Sequence, residues 1–359
     1  MNNATQLLPT VRTVAAPHGP LCDVITFDFV PQLLKLLQNR TIMTQENLLI
    51  DVQDPLRPYT SPEGVRGEAL SGQVYQDAYQ RLVTNPQRQL FVPIIQWIDR
   101  TSVTGNDRFS LKPYMFTPAI FAEPFRRTIP AWGYHGFLPK PKTSSAQNQT
   151  FKLGDNIRNY HAQLQIVLSS FRTSSSRLRN VQLPLGPTGS IHVDIVTCIL
   201  FVIQDMQEGD ALCGRYGPHT PQVQRHCRSC NVSYADLDSS YFTCHYLFAE
   251  PMAMIAASDD KAIRVRWSQH AVHNAFQDVV FADHVRGIFG ASFIKTMHVF
   301  CRGFIEHVTF FVLDNVPASR KAALDTLAVQ FHNQHRQSYC TRYPATNFSP
   351  GLTNLTKVK

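Results

Sequence analysis

The sequence predicts an α/β fold, a mixed sheet flanked by helices and interrupted by a cysteine-rich insertion. Three observations predict it. Apolar runs of strand length alternate with stretches of helical period through the middle of the chain, two aspartates close two of those runs, and four of the eight cysteines fall between positions 213 and 244. A length of 359 residues allows one large domain or two ordinary ones. With 43% hydrophobic residues and 23 phenylalanines the chain can bury a core, which excludes wholesale disorder. No apolar run approaches the ~20 residues of a membrane-spanning helix, so no membrane partner is expected. Met1 to Gln6 show no basic stretch followed by an apolar one, so an intracellular setting is expected. There the cysteines read as thiols or metal ligands rather than a disulfide framework.

Taken in order, residues 1–20 lack pattern and hold three prolines, which reads as a disordered tail. Residues 21–89 read as helical: Leu33, Leu34, Leu36 and Leu37 share one broad face, and Leu70, Val74, Tyr75 and Leu82 repeat the period. From Leu90 the pattern is that of a buried strand ending at Asp99. Thr104-Gly-Asn-Asp107 is turn chemistry, and Arg108–Thr117 alternates as the second arm of a hairpin. A third strand fits Ala131–Leu138. Ile157, Tyr160, Leu164, Val167, Leu168 and Phe171 then recur at helical spacing from about Asn156. A fourth strand, Ile191–Gln204, is apolar on both faces, as a central strand should be, and Asp205 follows it. Strand, strand, strand, helix, strand is the opening of the ribonuclease H-like fold, so residues 90–206 read as the first part of such a core. Residues 207–265 are the cysteine-rich insertion and 266–335 the rest of the core, with a short strand at Asp283–Ser292. A helix then carries Phe293, Met297, Phe300, Phe304, Val308 and Phe311 on one face; a basic tail, 336–359, ends the chain. No internal repeat points to a solenoid.

Carboxylates at the ends of two neighbouring strands suit two-metal phosphoryl chemistry, which needs acidic groups converging on Mg²⁺ or Mn²⁺ ions ~4 Å apart. Asp99 and Asp205 are therefore the candidate catalytic pair; the bland reading of either is a turn or helix cap. Cys227-Arg-Ser-Cys230 is a C-x-x-C knuckle, and Cys213, Cys244 or His245 could complete a tetrahedral Zn²⁺ site. Ordinary buried thiols are the alternative. His270, His273 and His298 read as metal or phosphate ligands or as hydrogen-bonded structural histidines. The net charge of +8 is concentrated: residues 126–180 carry nine basic groups and one acidic, residues 320–359 six and one. Arg126, Arg127, Lys140, Lys142 and Arg158 are the candidate DNA-backbone contacts, with a solvated surface face as the alternative. No G-x-S-x-G, P-loop or H-E-x-x-H occurs, which ranks an unrelated hydrolase last.

Five segments together carry a family resemblance: Pro93–Thr101, Ile203–Tyr216, Cys227–Cys230, Asn274–Phe281 and Arg286–Ala291. They resemble the transposase-like proteins of Plavaka-type, CACTA-related eukaryotic DNA transposons, over roughly Phe27 to Lys359. The resemblance implies a ribonuclease H-like DDE core with a cysteine-rich insertion after the second acidic strand. It implies Asp99 and Asp205 as the first and second catalytic aspartates, both binding Mg²⁺, and Cys227 and Cys230, with Cys213 and Cys244, as the zinc-knuckle cysteines. Gln204 stands where relatives tend to have Gly. The third acidic residue is not placed: Glu306 lies on the right kind of helix and reads equally as a solvent-facing glutamate. Thr346–Lys359 looks like a segment that continues onward in relatives, so the chain reads as a truncated copy. The expected function is transposase-derived DNA binding with Mg²⁺-dependent strand cleavage and transfer. The alternative is a non-catalytic, zinc-containing nucleic-acid-binding remnant. DNA is the expected partner, the nucleus the expected location, and a homo-oligomer is left open.

Overall fold

A computed structural model describes residues 8–15, 21–62, 67–99, 101–102, 110–139, 154–174, 177–217, 223–225, 227–236 and 248–292, with scattered positions between 311 and 330. The chain divides into two compact units, Met1–Phe293 and Ile294–Lys359. In the second, the Arg320 and Lys321 N–H groups both donate to the Pro317 carbonyl, a single helical turn.

The first unit opens with β1 (Thr10–Val14) and β2 (Cys22–Thr26), an antiparallel pair that corrects the disordered tail expected over residues 1–20 and puts a strand at the start of the region read as helical. Helices α1 (Phe29–Leu37) and α2 (Gln73–Leu82) follow, so the first ninety residues are less helical than the period count predicts. The apolar run from Leu90 is two strands, β3 (Gln89–Phe91) and β4 (Ile94–Ile98). After them come β5 (Thr101–Ser102), β6 (Ser110–Pro118), the turn-length helix α3 (Glu123–Arg126) and β7 (Gly133–Pro139). The predicted helix of residues 156–171 forms as α4 (Asp155–Val167), with α5 (Ser169–Ser174) after it. Then β8 (Arg177–Leu183), β9 (Ile191–Val196) and β10 (Ile199–Ile203) lead into α6 (Met206–Leu212). The remainder is α7 (Ala249–Ala257), α8 (Lys261–Arg266) and α9 (Ile288–Ala291).

Seven strands form the larger sheet, in the order β1-β2-β7-β6-β4-β10 with β5 paired to β6. All pairings are antiparallel except β4 with β10. A three-stranded sheet, β3-β9-β8, continues from it, with β3 parallel to β9. The single long strand expected at Ile191–Gln204 is thus a correction, because β9 and β10 belong to different sheets. The physical reason lies opposite: Pro93 has no N–H to donate, so both strands part there, bridged by Val92 N–H to the Val196 carbonyl and Ile94 N–H to the Cys198 carbonyl, each 2.8 Å.

Phe29, Leu33, Leu36 and Leu37 of α1 and Leu164 and Val167 of α4 are buried, as their helical spacing requires. A polar string runs through that core: the Tyr114 hydroxyl donates to Gln96 Oε1 at 2.5 Å, and Gln96 Nε2 meets His135 Nε2 at 3.1 Å. The strand expected at Asp283–Ser292 is a turn and α9. The Asp283 carboxylate accepts from the Arg286 N–H at 3.0 Å and its carbonyl from Gly287 at 2.8 Å, which closes a turn and precludes extension. Isolated parallel bridges, Phe281 to Ile199 and Ser292 to Val202, lay this segment along the outer side of β10.

Candidate functional site

The pairing of β4 with β10 brings the two candidate carboxylates to one end of the sheet. Ile94 pairs with Ile199, the register slips by one residue between Ile199 and Phe201, and Trp97 then pairs with Ile203. Asp99 follows Trp97 by two residues and Asp205 follows Ile203 by two, past the last paired positions, so both aspartates leave the same end of the sheet. Side chains alternate along a strand, and the slip at Leu200 is what puts Trp97 opposite Ile203. Both aspartates are half-buried, and Ile203 beside them is exposed.

Asp205 is also the N-cap of α6, its Oδ1 accepting from the Glu208 N–H at 2.6 Å. Glu208, which the sequence reading passed over, is 7% exposed and fully engaged. Its Oε2 accepts from Lys112 Nζ of β6 at 2.5 Å, and its Oε1 accepts from the Tyr160 hydroxyl of α4. Lys112 also lies over the Tyr160 ring, 4.9 Å from its centre. Burial first, then the neighbouring Glu208 charge, pushes the Tyr160 hydroxyl well above its ordinary pKa, so it stays a donor. Asp205-Met-Gln-Glu208 is the spacing of a capping box, the one sequence signal that could have drawn attention to Glu208. Here the glutamate turns inward instead of back to the cap.

A third residue, His161 of α4, holds the far end of α6. Its Nε2 donates to the Ala211 carbonyl at 3.0 Å and its Nδ1 accepts from the Ala275 N–H at 3.1 Å, which defines a neutral ring. Burial lowers its pKa to about 4. Gln204, buried at 1%, donates to Ser292 Oγ at 2.7 Å and so ties the end of β10 to the segment beside it.

Cys227 and Cys230 lie side by side: burial and a hydrogen bond between the two side chains raise the Cys227 pKa, and the Ser229 N–H donates to Cys227 Sγ at 3.3 Å. Between them, Arg228 is 3% exposed and reaches α6, with Nη1 donating to the Met206 carbonyl at 2.7 Å and paired with Asp210 Oδ1 at 3.3 Å. Arg215, 1% exposed, donates to the Arg225 carbonyl, while its Nε and Nη1 have no hydrogen-bond partner among the described residues. Cys213 is buried, with its thiol pushed up to about 12 by burial. It lines a groove of about 1290 Å³ between α7 and residues 269–289, which contains neither the aspartates nor the Cys227/Cys230 pair. Among the described residues no three His, Cys, Asp or Glu side chains converge on a common metal position. Cys244, His245, Glu306, His298, Lys140 and Lys142 lie outside the described residues.

The candidate DNA contacts divide by environment. Arg126 pairs with Glu68 at 2.7 Å and donates to the Phe121 carbonyl, at 13% side-chain exposure. Arg158 donates to the Ala271 carbonyl at 2.9 Å and pairs with Asp155 at 2.8 Å. Both guanidinium groups serve the fold. Arg127 is 77% exposed and, among the described residues, pairs with Glu123 one helical turn away, a partner it can trade for a phosphate. His270, which burial holds at a pKa of about 4, packs edge-on against Tyr216 and is a structural histidine.

No helix among the described residues is long and apolar enough to cross a membrane. No curated protein matches this sequence. A family model described as Plavaka transposase matches residues 42–312, a span that holds β3 to β10, both aspartates and the Cys227/Cys230 pair. With most of its length matched, the chain belongs to the Plavaka transposase family.

Proposed function

We propose that this transposase-derived chain binds DNA and carries a DDE-type, divalent-metal-dependent core for strand cleavage and strand transfer, built on a ribonuclease H-like sheet. The observation that supports the reading is the β4/β10 register, which pairs Trp97 with Ile203 two residues before Asp99 and Asp205 at the same sheet end. Support for the core comes from its strand order: three antiparallel strands, β7-β6-β4, then β10 parallel to β4 with α4 before it in sequence. The donor set fits a hard cation. Two half-buried carboxylates offer oxygen ligands of the kind Mg²⁺ and Mn²⁺ take, and the Glu208 N–H holds one Asp205 oxygen on the helix. When bound there, a divalent cation neutralises charge and polarises a phosphate oxygen. Glu306 is the candidate third carboxylate. The family name and the basic balance of the chain support DNA as partner, with the nucleus as location. A nicking and strand-transfer assay with Mg²⁺ or Mn²⁺ tests the reading: Asp99→Ala should lose activity about 10³-fold or more, and activity equal to wild type overturns the assignment.

One observation favours a second reading, a zinc-containing DNA-binding protein without catalysis. The adjacent Cys227 and Cys230 sulfurs offer two of the four donors a structural Zn²⁺ takes, with Cys244 and His245 (or Cys213) as the remaining candidates. A buried guanidinium with unmatched donors, Arg215, fits a site that holds thiolate charge. This reading expects salt-dependent DNA binding that survives Asp205→Ala, weakens when Arg127, Lys140 and Lys142 are neutralised, and falls after treatment with a zinc chelator. Filter binding over a salt series measures all three.

A further inference from the structure

The Cys227–Cys230 knuckle and the aspartate pair are joined through one side chain. Arg228 sits between the cysteines, yet its guanidinium lies on α6, the helix that Asp205 caps. Three contacts hold it there. Nη1 donates to the carbonyl of Met206, the residue directly after Asp205, at 2.7 Å; the same nitrogen pairs with Asp210 at 3.3 Å; and the guanidinium plane lies over Gly209. A Cβ at position 209 would come within 2.6 Å of Arg228 Cζ and 2.9 Å of both Nη atoms, so any larger residue there must displace the guanidinium. A lysine lacks the flat fork that fills such a slot while bonding on both sides.

We infer that Arg228 is a positioning residue for the carboxylate pair: through it, the two-cysteine knuckle clamps the helix headed by Asp205, and the state of the thiols is felt at the cation site. This rests on the proposed reading of Asp99 and Asp205 as cation ligands. From the opposite side Lys112 and Tyr160 grip the same helix through Glu208, so α6 is held between two anchors, one from the sheet and one from the knuckle. The backbone of Arg228 is set by its neighbours, with the Ser229 N–H on Cys227 Sγ. Whatever binds or oxidises those sulfurs moves the base of the arm. Ligand geometry at a metal site tolerates displacements of only ~0.5 Å.

The test measures Mn²⁺ binding to the full chain by electron paramagnetic resonance, a readout independent of activity. Wild type is compared with Asp99→Asn/Asp205→Asn, Arg228→Lys, Gly209→Ala and Cys227→Ser, each checked for folding by near-ultraviolet circular dichroism. Arg228→Lys and Gly209→Ala are expected to weaken Mn²⁺ binding about tenfold. Cys227→Ser is expected to do the same, with no further loss when combined with Arg228→Lys, since both act through one arm. Gly209→Ala leaves every charge in place, so it serves if Arg228→Lys fails to fold. Wild-type Mn²⁺ affinity in Arg228→Lys or Gly209→Ala, with binding lost in the double Asn variant, overturns the clamp and leaves the carboxylate reading standing. Wild-type affinity in the double Asn variant overturns the carboxylate reading itself. Fully additive losses for Cys227→Ser and Arg228→Lys overturn the link between thiols and cation site.

Discussion

At the residue scale, Glu208 is the side chain whose surroundings most constrain the site. It satisfies a lysine ammonium and a tyrosine hydroxyl while its own N–H satisfies Asp205, so its removal leaves Lys112 and Tyr160 without their acceptor. Breaking a buried charged pair from one side costs more than the pair itself contributes. Glu208→Ala should therefore destabilise the chain by about 3 kcal/mol. Glu208→Gln, which keeps one acceptor oxygen but loses the charge, should cost about half as much. Urea unfolding followed by circular dichroism separates the two. If Glu208→Ala unfolds at the wild-type midpoint, the Lys112–Glu208–Tyr160 network contributes nothing. Arg228 is the second such residue. Its partners, Met206, Gly209 and Asp210, lie on an element eighteen or more positions earlier in the chain.

At the scale of elements, the start of α6 has two duties that one pair of substitutions separates. Asp205 caps the helix through Oδ1, and in the proposed function it binds a cation through its charge. Asparagine caps as well as aspartate but is a poor cation ligand, whereas alanine does neither. Asp205→Asn should leave the unfolding midpoint within ~0.5 kcal/mol of wild type, and Asp205→Ala should lose about 1 kcal/mol. Both should lose Mn²⁺ binding. Thermal unfolding with and without Mn²⁺ reads both effects together. Stabilisation of Asp205→Asn by Mn²⁺ equal to that of wild type would make the aspartate a cap alone. The strand before it shows why position matters: a single slipped residue, Leu200, sets which residue of β4 stands opposite Ile203, two positions before Asp205.

At the scale of the whole molecule, three buried histidines make stability depend on pH. Burial, in each case the leading cause, lowers His135 to about 3 and His161 and His270 to about 4. In the unfolded chain a histidine protonates near its ordinary value of about 6.5. Between about pH 6.5 and 4 the unfolded state therefore binds more protons than the folded one, and stability falls as pH falls through that window. Each histidine contributes a loss of about 2 kcal/mol between pH 6.5 and 5. Urea midpoints at pH 7 and pH 5 should differ accordingly, and His161→Gln should shrink the difference by about a third. A midpoint that does not change across this window would mean that these rings are solvated in the fold.

Most of the α/β alternation from β3 to β10, the candidate aspartates at two strand ends and the family resemblance are legible in the sequence alone. Periodicity is a local property, and each of these is written within a few consecutive residues. Helix α1 and the helical run into α4 were legible for the same reason, through Leu33, Leu36 and Leu37 and through Tyr160, Leu164 and Val167. Only the tertiary structure decided that the long apolar run at Ile191–Gln204 divides between two sheets, because the division answers to Pro93, a hundred residues away. Nor could local pattern show that residues 283–292 turn instead of extending, since their spacing of apolar and glycine residues suits both. The same holds at the site. Two aspartates near strand ends are visible in one dimension. That a bulge sets the register of β10 against β4, that Glu208 and Arg228 hold the helix Asp205 caps, and that Arg126 pairs with Glu68 and Arg158 bonds the Ala271 carbonyl are pairings between distant segments, and such pairings exist only once the chain has folded.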